Sequence, residues 1–186
     1  MVNSAIVNIA RFASLLFGGL FAGFLVTVLV IELTLRNYDA SVYTQVRHVE
    51  LARLDNLATA TLMPTLIATA FLVILAVRRR TRHTLWLTLT ALILLVSVLV
   101  TTIVFNLPIN AEQSNWAVQA PPADWASVRD RWQIAHAVRT SAAVLAFGCL
   151  STAAMGTSAI NLLDHSRTDR RSPATRDSVL HQGGRA

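Results

Sequence analysis

Four stretches of the chain carry no Asp, Glu, Lys, Arg or His: Phe12 to Ile31, Leu57 to Val77, Thr84 to Leu107 and Thr140 to Leu163. A helix rises about 1.5 Å per residue, so each stretch is long enough to cross a hydrocarbon layer roughly 30 Å thick. The pattern predicts an all-α, four-span transmembrane helical bundle, with spans at about 12–35, 57–77, 84–107 and 132–163. Two longer connections, about 36–56 and 108–131, predict an extracytoplasmic loop cap over one end. Residues 1–163 form the membrane domain in this reading. From Asp164 to Ala186 the chain mixes Arg, Asp, Ser, Pro and Gly without apolar periodicity, which predicts a disordered basic tail.

The first run is retained as a helix rather than cleaved as a signal peptide, because Glu32, Leu33, Thr34, Leu35 and Arg36 follow it where a small-residue cleavage site would stand. Arginine placement sets the orientation. Arg11, the Arg78, Arg79, Arg80 and Arg82 loop, and the five tail arginines lie on one side of a four-span protein. Arg36, Arg47, Arg53, Arg129 and Arg131 lie on the other. The positive-inside bias then puts both termini of a multi-pass cell-membrane protein in the cytoplasm.

Composition adds little to this. Hydrophobic residues make up 54% of the chain and charged ones 14%, well short of the quarter or so usual in soluble domains. The net charge of +6 comes from sixteen arginines spread along membrane edges rather than from one aromatic-interleaved face, which excludes a nucleic-acid partner. The lone Cys149 allows no intrachain disulfide. Small residues four apart, at Gly19 and Gly23 and at Gly148, Thr152 and Gly156, predict close helix packing. Pro64 predicts a kink in the second span.

Charged and polar groups at membrane depth mark the candidate chemistry. Trp125, Arg129, Trp132, His136 and Arg139 lie at offsets of 0, 4, 7, 11 and 14, so one helix face presents them all. An interface belt accounts for Trp125 and Arg129, whereas Arg139 abuts the uncharged fourth run and is too deep for a belt. At the end of span three, Pro108 lacks an N–H and disfavours helix at Leu107, so the helix is expected to stop there. Asn106 and Asn110 can then cap the freed carbonyls or hold a ligand oxygen. Glu32, at the end of span one, needs a cation, with Arg139 or His136 as the expected partner. Tyr43, Arg47, His48 and Glu50 are expected on a separate interfacial helix with Val42, Val46 and Val49 as its apolar stripe, where Arg47 and Glu50 can pair. Glu32, His48, Glu50 and His136 are of ligating types, but no HxxxH, ExxH or CxxC spacing joins them, so no metal is expected.

The sequence N-L-P-I-N at 106–110, the following Trp116, the run R-W-Q-I-A-H-A-V-R-T at 131–140 and the G-L-F-A-G-F run from Gly19 to Phe24 together resemble the anthrone oxygenase-like family of small four-helix membrane proteins. The resemblance covers roughly residues 12–160. It implies oxidation of a polycyclic anthrone to a quinone, with molecular oxygen as co-substrate and no organic cofactor. It further implies a pocket of Asn106, Asn110, Trp132, His136 and Arg139, with His136 as base, Arg139 and the amides on an enolate-like oxygen, and Trp132 stacked on flat rings. Trp125, Arg129 and Glu32 would complete the substrate site. The resulting expectation is an oxygenase-like enzyme acting on a hydrophobic small molecule drawn from the lipid bilayer. The alternative is a non-catalytic subunit whose Trp and Arg stripe meets a partner protein or a second copy; a lipid or small-molecule carrier is a third possibility.

Overall fold

A computed structural model describes the backbone of residues 4–170 and the side chains of residues 4–156. Four helical spans, each long and apolar enough to cross a membrane, account for nearly all of it: Ser4–Leu35, Ala40–Arg79, Arg82–Gln113 and Trp125–Gly156. The first is α1 and the second α2. The third comprises α3 (Arg82–Thr101), a π turn (Thr102–Asn106) and α4 (Leu107–Gln113), and the last belongs to α5 (Trp125–Arg170). No strand occurs among the described residues, apart from an isolated bridge between Ala117 and Ala120. The tail expected from Asp164 begins within α5, and residues 171–186 lie outside the described residues.

The helices form a ring in which α1 packs on α2 and α5, and α3 packs on the same two neighbours. Phe21 and Leu25 of α1, Leu62 of α2, Leu95 and Val98 of α3, and Ala143, Ala146 and Leu150 of α5 fill the centre. Large apolar side chains such as Ile67, Ile93 and Leu145 point outward, as contact with acyl chains requires. Threonines are accommodated in the spans because their hydroxyls donate to the carbonyl one turn back in the same helix. Thr27 bonds Gly23, Thr61 bonds Leu57, Thr65 bonds Thr61 and Thr88 bonds Thr84.

Three local expectations change. The expected interfacial helix of the first connection is instead the start of α2. Asp39 caps it by accepting the Val42 N–H at 2.9 Å, and neither Gly nor Pro interrupts the chain until Pro64, so helix runs unbroken into the span. At 40 residues α2 is about 60 Å long, twice the hydrocarbon layer, so its first turns extend beyond the span. Its buried face there is not the valine stripe but Tyr43, Thr44, Arg47 and Glu50, while Val49 is 75% exposed.

Pro108 does not end the third helix. The Leu107 N–H donates to Thr102 O, five residues back, and this widened turn absorbs the missing proline N–H, so helix continues to Gln113. The small-residue pattern is also read only in part. A Cβ on Gly19 would meet the Phe147 ring at 3.2 Å, and one on Gly18 would meet Thr65 at 3.3 Å. By contrast Gly23, Gly148 and Gly156 face open space, because the α1–α5 contact turns on Phe147 rather than on paired glycines.

Candidate functional site

One end of the bundle buries an unusual number of charges. Arg47, at the start of α2, is 2% exposed and lies between helices that each offer it an oxygen. Its Nε donates to Gln113 Oε1 at 2.9 Å, and its Nη2 to Asn110 Oδ1 at 3.0 Å. Its Nη1 donates to Glu32 Oε1 at 3.1 Å and to Glu50 Oε2 at 2.6 Å. A planar guanidinium is the one side chain that can serve acceptors on α1, α2 and α4 together. Gln113 passes the network on by donating to the Tyr43 hydroxyl at 3.1 Å, and Gln133 donates to both Glu32 O and Glu32 Oε2. The expectation that Glu32 pairs with Arg139 or His136 is therefore corrected. Arg47 takes that place because α2 starts early enough to lay it against the end of α1.

Trp132, 2% exposed, connects this cluster to the deeper one. Its indole N–H donates to Asn110 Oδ1 at 2.7 Å, the Arg47 guanidinium lies 4.2 Å from its ring centre, and the His136 imidazole stacks on it at 4.7 Å with an interplanar angle of 9°. His136 is fully buried and held at both nitrogens. Nε2 lies 3.0 Å from Leu25 O, which can only accept, so that nitrogen carries the proton. Nδ1 then bears the lone pair, and it accepts from Arg139 Nε at 3.0 Å and Nη2 at 2.8 Å. Arg139 also donates to Thr102 Oγ1 at 3.3 Å, so the arginine spans from α5 to the π turn.

Asn106, the last residue of that turn, is 0% exposed, and neither atom of its amide has a partner among the described residues. The expected capping role for it is not seen, since no side-chain cap bond forms. Buried amides without partners are uncommon and, like π turns, are concentrated where a chain has a task beyond folding.

A small cleft of about 20 Å³ opens between α1 and α2 onto this cluster. Arg47, Asn110, Trp132 and Arg139 line it with the carboxylates of Glu50 and Asp55, as do the apolar Phe24, Val28, Leu51 and Leu54. Asp55 accepts both of its bonds from Asn110 Nδ2 at 3.3 Å. On the outside of the bundle, an apolar groove of about 560 Å³ runs between the π turn and α5, past Phe105, Pro108, Ile134 and Val138, with Arg131 at its edge.

The predicted stripe therefore divides. Trp132, His136, Arg139, Asn110 and Glu32 belong to one connected network. Arg129 and Trp125 make no hydrogen bond to it: Arg129 pairs with Asp130 at 3.0 Å and stacks on Trp125, which touches the network only by packing on Tyr43, beside Trp116. Of the four ligating-type residues, Glu32 and Glu50 share Arg47, His136 is held by Leu25 and Arg139, and His48 Nε2 has no partner among the described residues. No cluster of three or more His, Cys, Asp or Glu side chains occurs among the described residues. Gln113, Gln133 and Asp55 escaped sequence reasoning. Gln113 stands three residues after Asn110 and shares its face only if the helix continues past Pro108, which the sequence argument denied.

A family model described as anthrone oxygenase matches residues 53–149, which include Asp55, Asn106, Asn110, Gln113, Trp132, His136 and Arg139. No curated protein and no solved structure matches the chain.

Proposed function

The chain belongs to the anthrone oxygenase family, and from that membership we propose that it is a membrane oxygenase that oxidises a flat, hydrophobic, anthrone- or quinone-type aromatic, with molecular oxygen as co-substrate and no organic cofactor or metal. The observation that carries the reading is the cleft lined by two guanidinium groups and an indole together with apolar side chains, where Arg47 holds the Glu50 carboxylate and Asn110 that of Asp55. Such a lining suits a ring system that carries one oxygen able to become anionic. The cleft holds about one water as it stands, so α2 must move off α1 around Leu51 and Leu54 to admit a ring.

In this reading Arg139 performs two tasks in turn. It covers the Nδ1 lone pair of His136 in the resting protein. When its guanidinium shifts to the substrate oxygen, it uncovers a neutral imidazole already in the tautomer a base requires, fixed by Leu25 O. The base takes a proton from the activated ring carbon, and the electron pair left behind spreads onto the oxygen held by Arg139, with Arg47 adding to the field and Asn106 and Asn110 supplying amide donors. Oxygen then bonds to that carbon and accepts the proton back as a hydroperoxide. Loss of water leaves a carbonyl, so a CH2 and O2 become C=O and H2O, and the substrate provides all the electrons. Trp132 stacks on the rings once Arg47 moves off its face, since His136 already occupies the other. The arginine-rich end that carries Arg11 and Arg78 to Arg82 faces the cytoplasm.

The test is oxygen uptake and quinone absorbance with a hydroxylated anthrone, using the protein purified in mild detergent. His136→Gln and Arg139→Lys are expected to lose on the order of a hundredfold or more in kcat while eluting as the folded native protein. Turnover that is absent from the native protein, or unchanged in both variants, overturns the reading.

A second reading is favoured by one observation: both nitrogens of His136 and every arm of Arg47 are already satisfied, as in a polar core that only specifies packing. The protein would then be a non-catalytic subunit whose 560 Å³ groove receives a partner helix. A native mass spectrum separates the two: a bound aromatic lost in His136→Gln supports the enzyme, and a second protein lost in Val138→Arg supports the subunit.

A further inference from the structure

The opposite end of the bundle is built on a different electrostatic plan. From Met1 to Ile31, from Asn56 to Ala111 and from Trp132 to Leu163 the chain contains no Asp or Glu, yet Arg11, Arg78, Arg79, Arg80 and Arg82 gather where α1 begins and α2 hands over to α3. Among the described residues, none of these five arginines makes an ion pair. At the Arg47 end, every buried guanidinium has been given an oxygen or a ring nitrogen.

One of the five, Arg11, is partly buried, and Arg79 stays exposed. Arg11 of α1 and Arg79 of α2 line a cavity of about 70 Å³ together with Ser14, Thr81, Thr84 and Thr88. The two positive charges repel each other across that space, and among the described residues no acidic side chain lines it. Its volume is several times the ~10–15 Å³ that one water requires. Leu72 and Leu75 of α2 and Leu150 and Ala153 of α5 close its inner side. Thr81, which precedes the first residue of α3, makes no side-chain cap bond, so its hydroxyl is not spent on the helix. Two like charges held across a walled cavity repel each other, and an anion seated between them converts that repulsion into two attractions.

We propose that this cavity is a binding site for a phosphate group, as a monoester or diester. The two guanidiniums supply forked donors and Thr81 and Thr84 supply hydroxyls, while Thr88 and Ser14 spend theirs on their own helices, and a tetrahedral oxyanion has acceptors enough for these donors. A site at the edge of a span is reached equally by a phospholipid headgroup and by a soluble phosphate compound; the recognised chemistry is the same. The inference is independent of the oxidation proposed above, since the site shares no residue with the Arg47 cluster.

The test uses the full chain in a non-ionic detergent. Native mass spectrometry counts phosphatidylglycerol retained per chain, and thermal melts compare inorganic phosphate with chloride at matched ionic strength. The expected result is one tightly held phosphate-bearing molecule, bound about ten- to a hundredfold more weakly by Arg11→Gln and by Arg79→Gln, and as tightly as by the native protein in Arg78→Gln. Stabilisation by phosphate alone, lost in Arg79→Gln, identifies a soluble ligand; retention of the lipid without a phosphate effect identifies a headgroup. Circular dichroism and elution volume check that each variant is folded, and Arg11→Lys, which keeps the charge, provides a milder variant with a partial loss expected. Absence of stoichiometric binding by either probe overturns the proposal. An effect of Arg78→Gln as large as that of Arg79→Gln does so too, because it reports a basic surface rather than a cavity.

Discussion

Replacing Arg47 by Met tests whether the buried cluster is held by charge or only by ordinary polar contact. Met retains most of the apolar stem but removes all four hydrogen bonds and, among the described residues, the only cation paired with Glu32 and Glu50. Polar contacts between membrane helices average about 0.6 kcal/mol, so the three that Arg47 makes to α1 and α4 would amount to only about 1.8 kcal/mol. Removing one partner from a buried ion pair costs roughly 3–5 kcal/mol, because a carboxylate is left without compensation. Glu32 is fully buried and Glu50 nearly so, which places this site in the second regime. We therefore expect a loss of about 3–5 kcal/mol in reversible unfolding by SDS in mixed micelles, followed by tryptophan fluorescence. We further expect that adding Glu32→Gln and Glu50→Gln to Arg47→Met restores at least about 1 kcal/mol, since neutral amides are less costly to bury. A loss below about 2 kcal/mol, or a triple variant no better than the single one, refutes the charge argument.

Other positions give sharp contrasts. Gly23→Ala and Gly148→Ala face open space and are expected to gain up to about 1 kcal/mol of stability from helix propensity. Gly19→Ala meets Phe147 and is expected to gain less or to lose; the ranking in the same unfolding assay decides it. Arg80 sits at φ 54°, in the left-handed region, so Arg80→Gly is expected to stabilise the α2–α3 turn by several tenths to about 1 kcal/mol in thermal melts. Trp132→Phe keeps the ring over His136 but loses the donor to Asn110, and is expected to cost about 1 kcal/mol, read by the same unfolding, with a shift in the Asn110 side-chain NMR signal.

Most of the architecture was legible because it rests on runs of uncharged residues whose length alone decides whether they cross a bilayer. Trp132, His136 and Arg139 were legible for a related reason: a single helix fixes their common face, so spacing suffices. What lay hidden depended on helices continuing where local signals said stop. Pro108 argued for an end at Leu107, and so concealed Gln113. The first connection was read as a separate surface helix, which hid the inward turn of Arg47 and left Glu32 with the wrong partner. Trp125 and Arg129 share the spacing, but Asp130 and the Tyr43 ring of α2 claim them; spacing describes a face, not what stands opposite each part of it. Glycines were misjudged likewise, since a small residue permits close approach without a partner being obliged to come.

The π turn at Thr102–Asn106 has a consequence for the whole Arg47 cluster. A bond that reaches back five residues encloses one residue more than an α turn does, and one residue is worth about 100° of rotation about a helix axis. The turn thus acts as a phase shifter: it leaves α3 facing the apolar core and sets α4 at the azimuth that points Asn110 and Gln113 toward Arg47. That azimuth depends on how many residues the turn contains and scarcely on which they are. Exchanges at its outward positions, Ile103 and Val104, should leave the cluster in place. Loss of a single residue with the wide turn kept would rotate the two amides away and bring Ala111 and Ser114 to the places of Asn110 and Gln113.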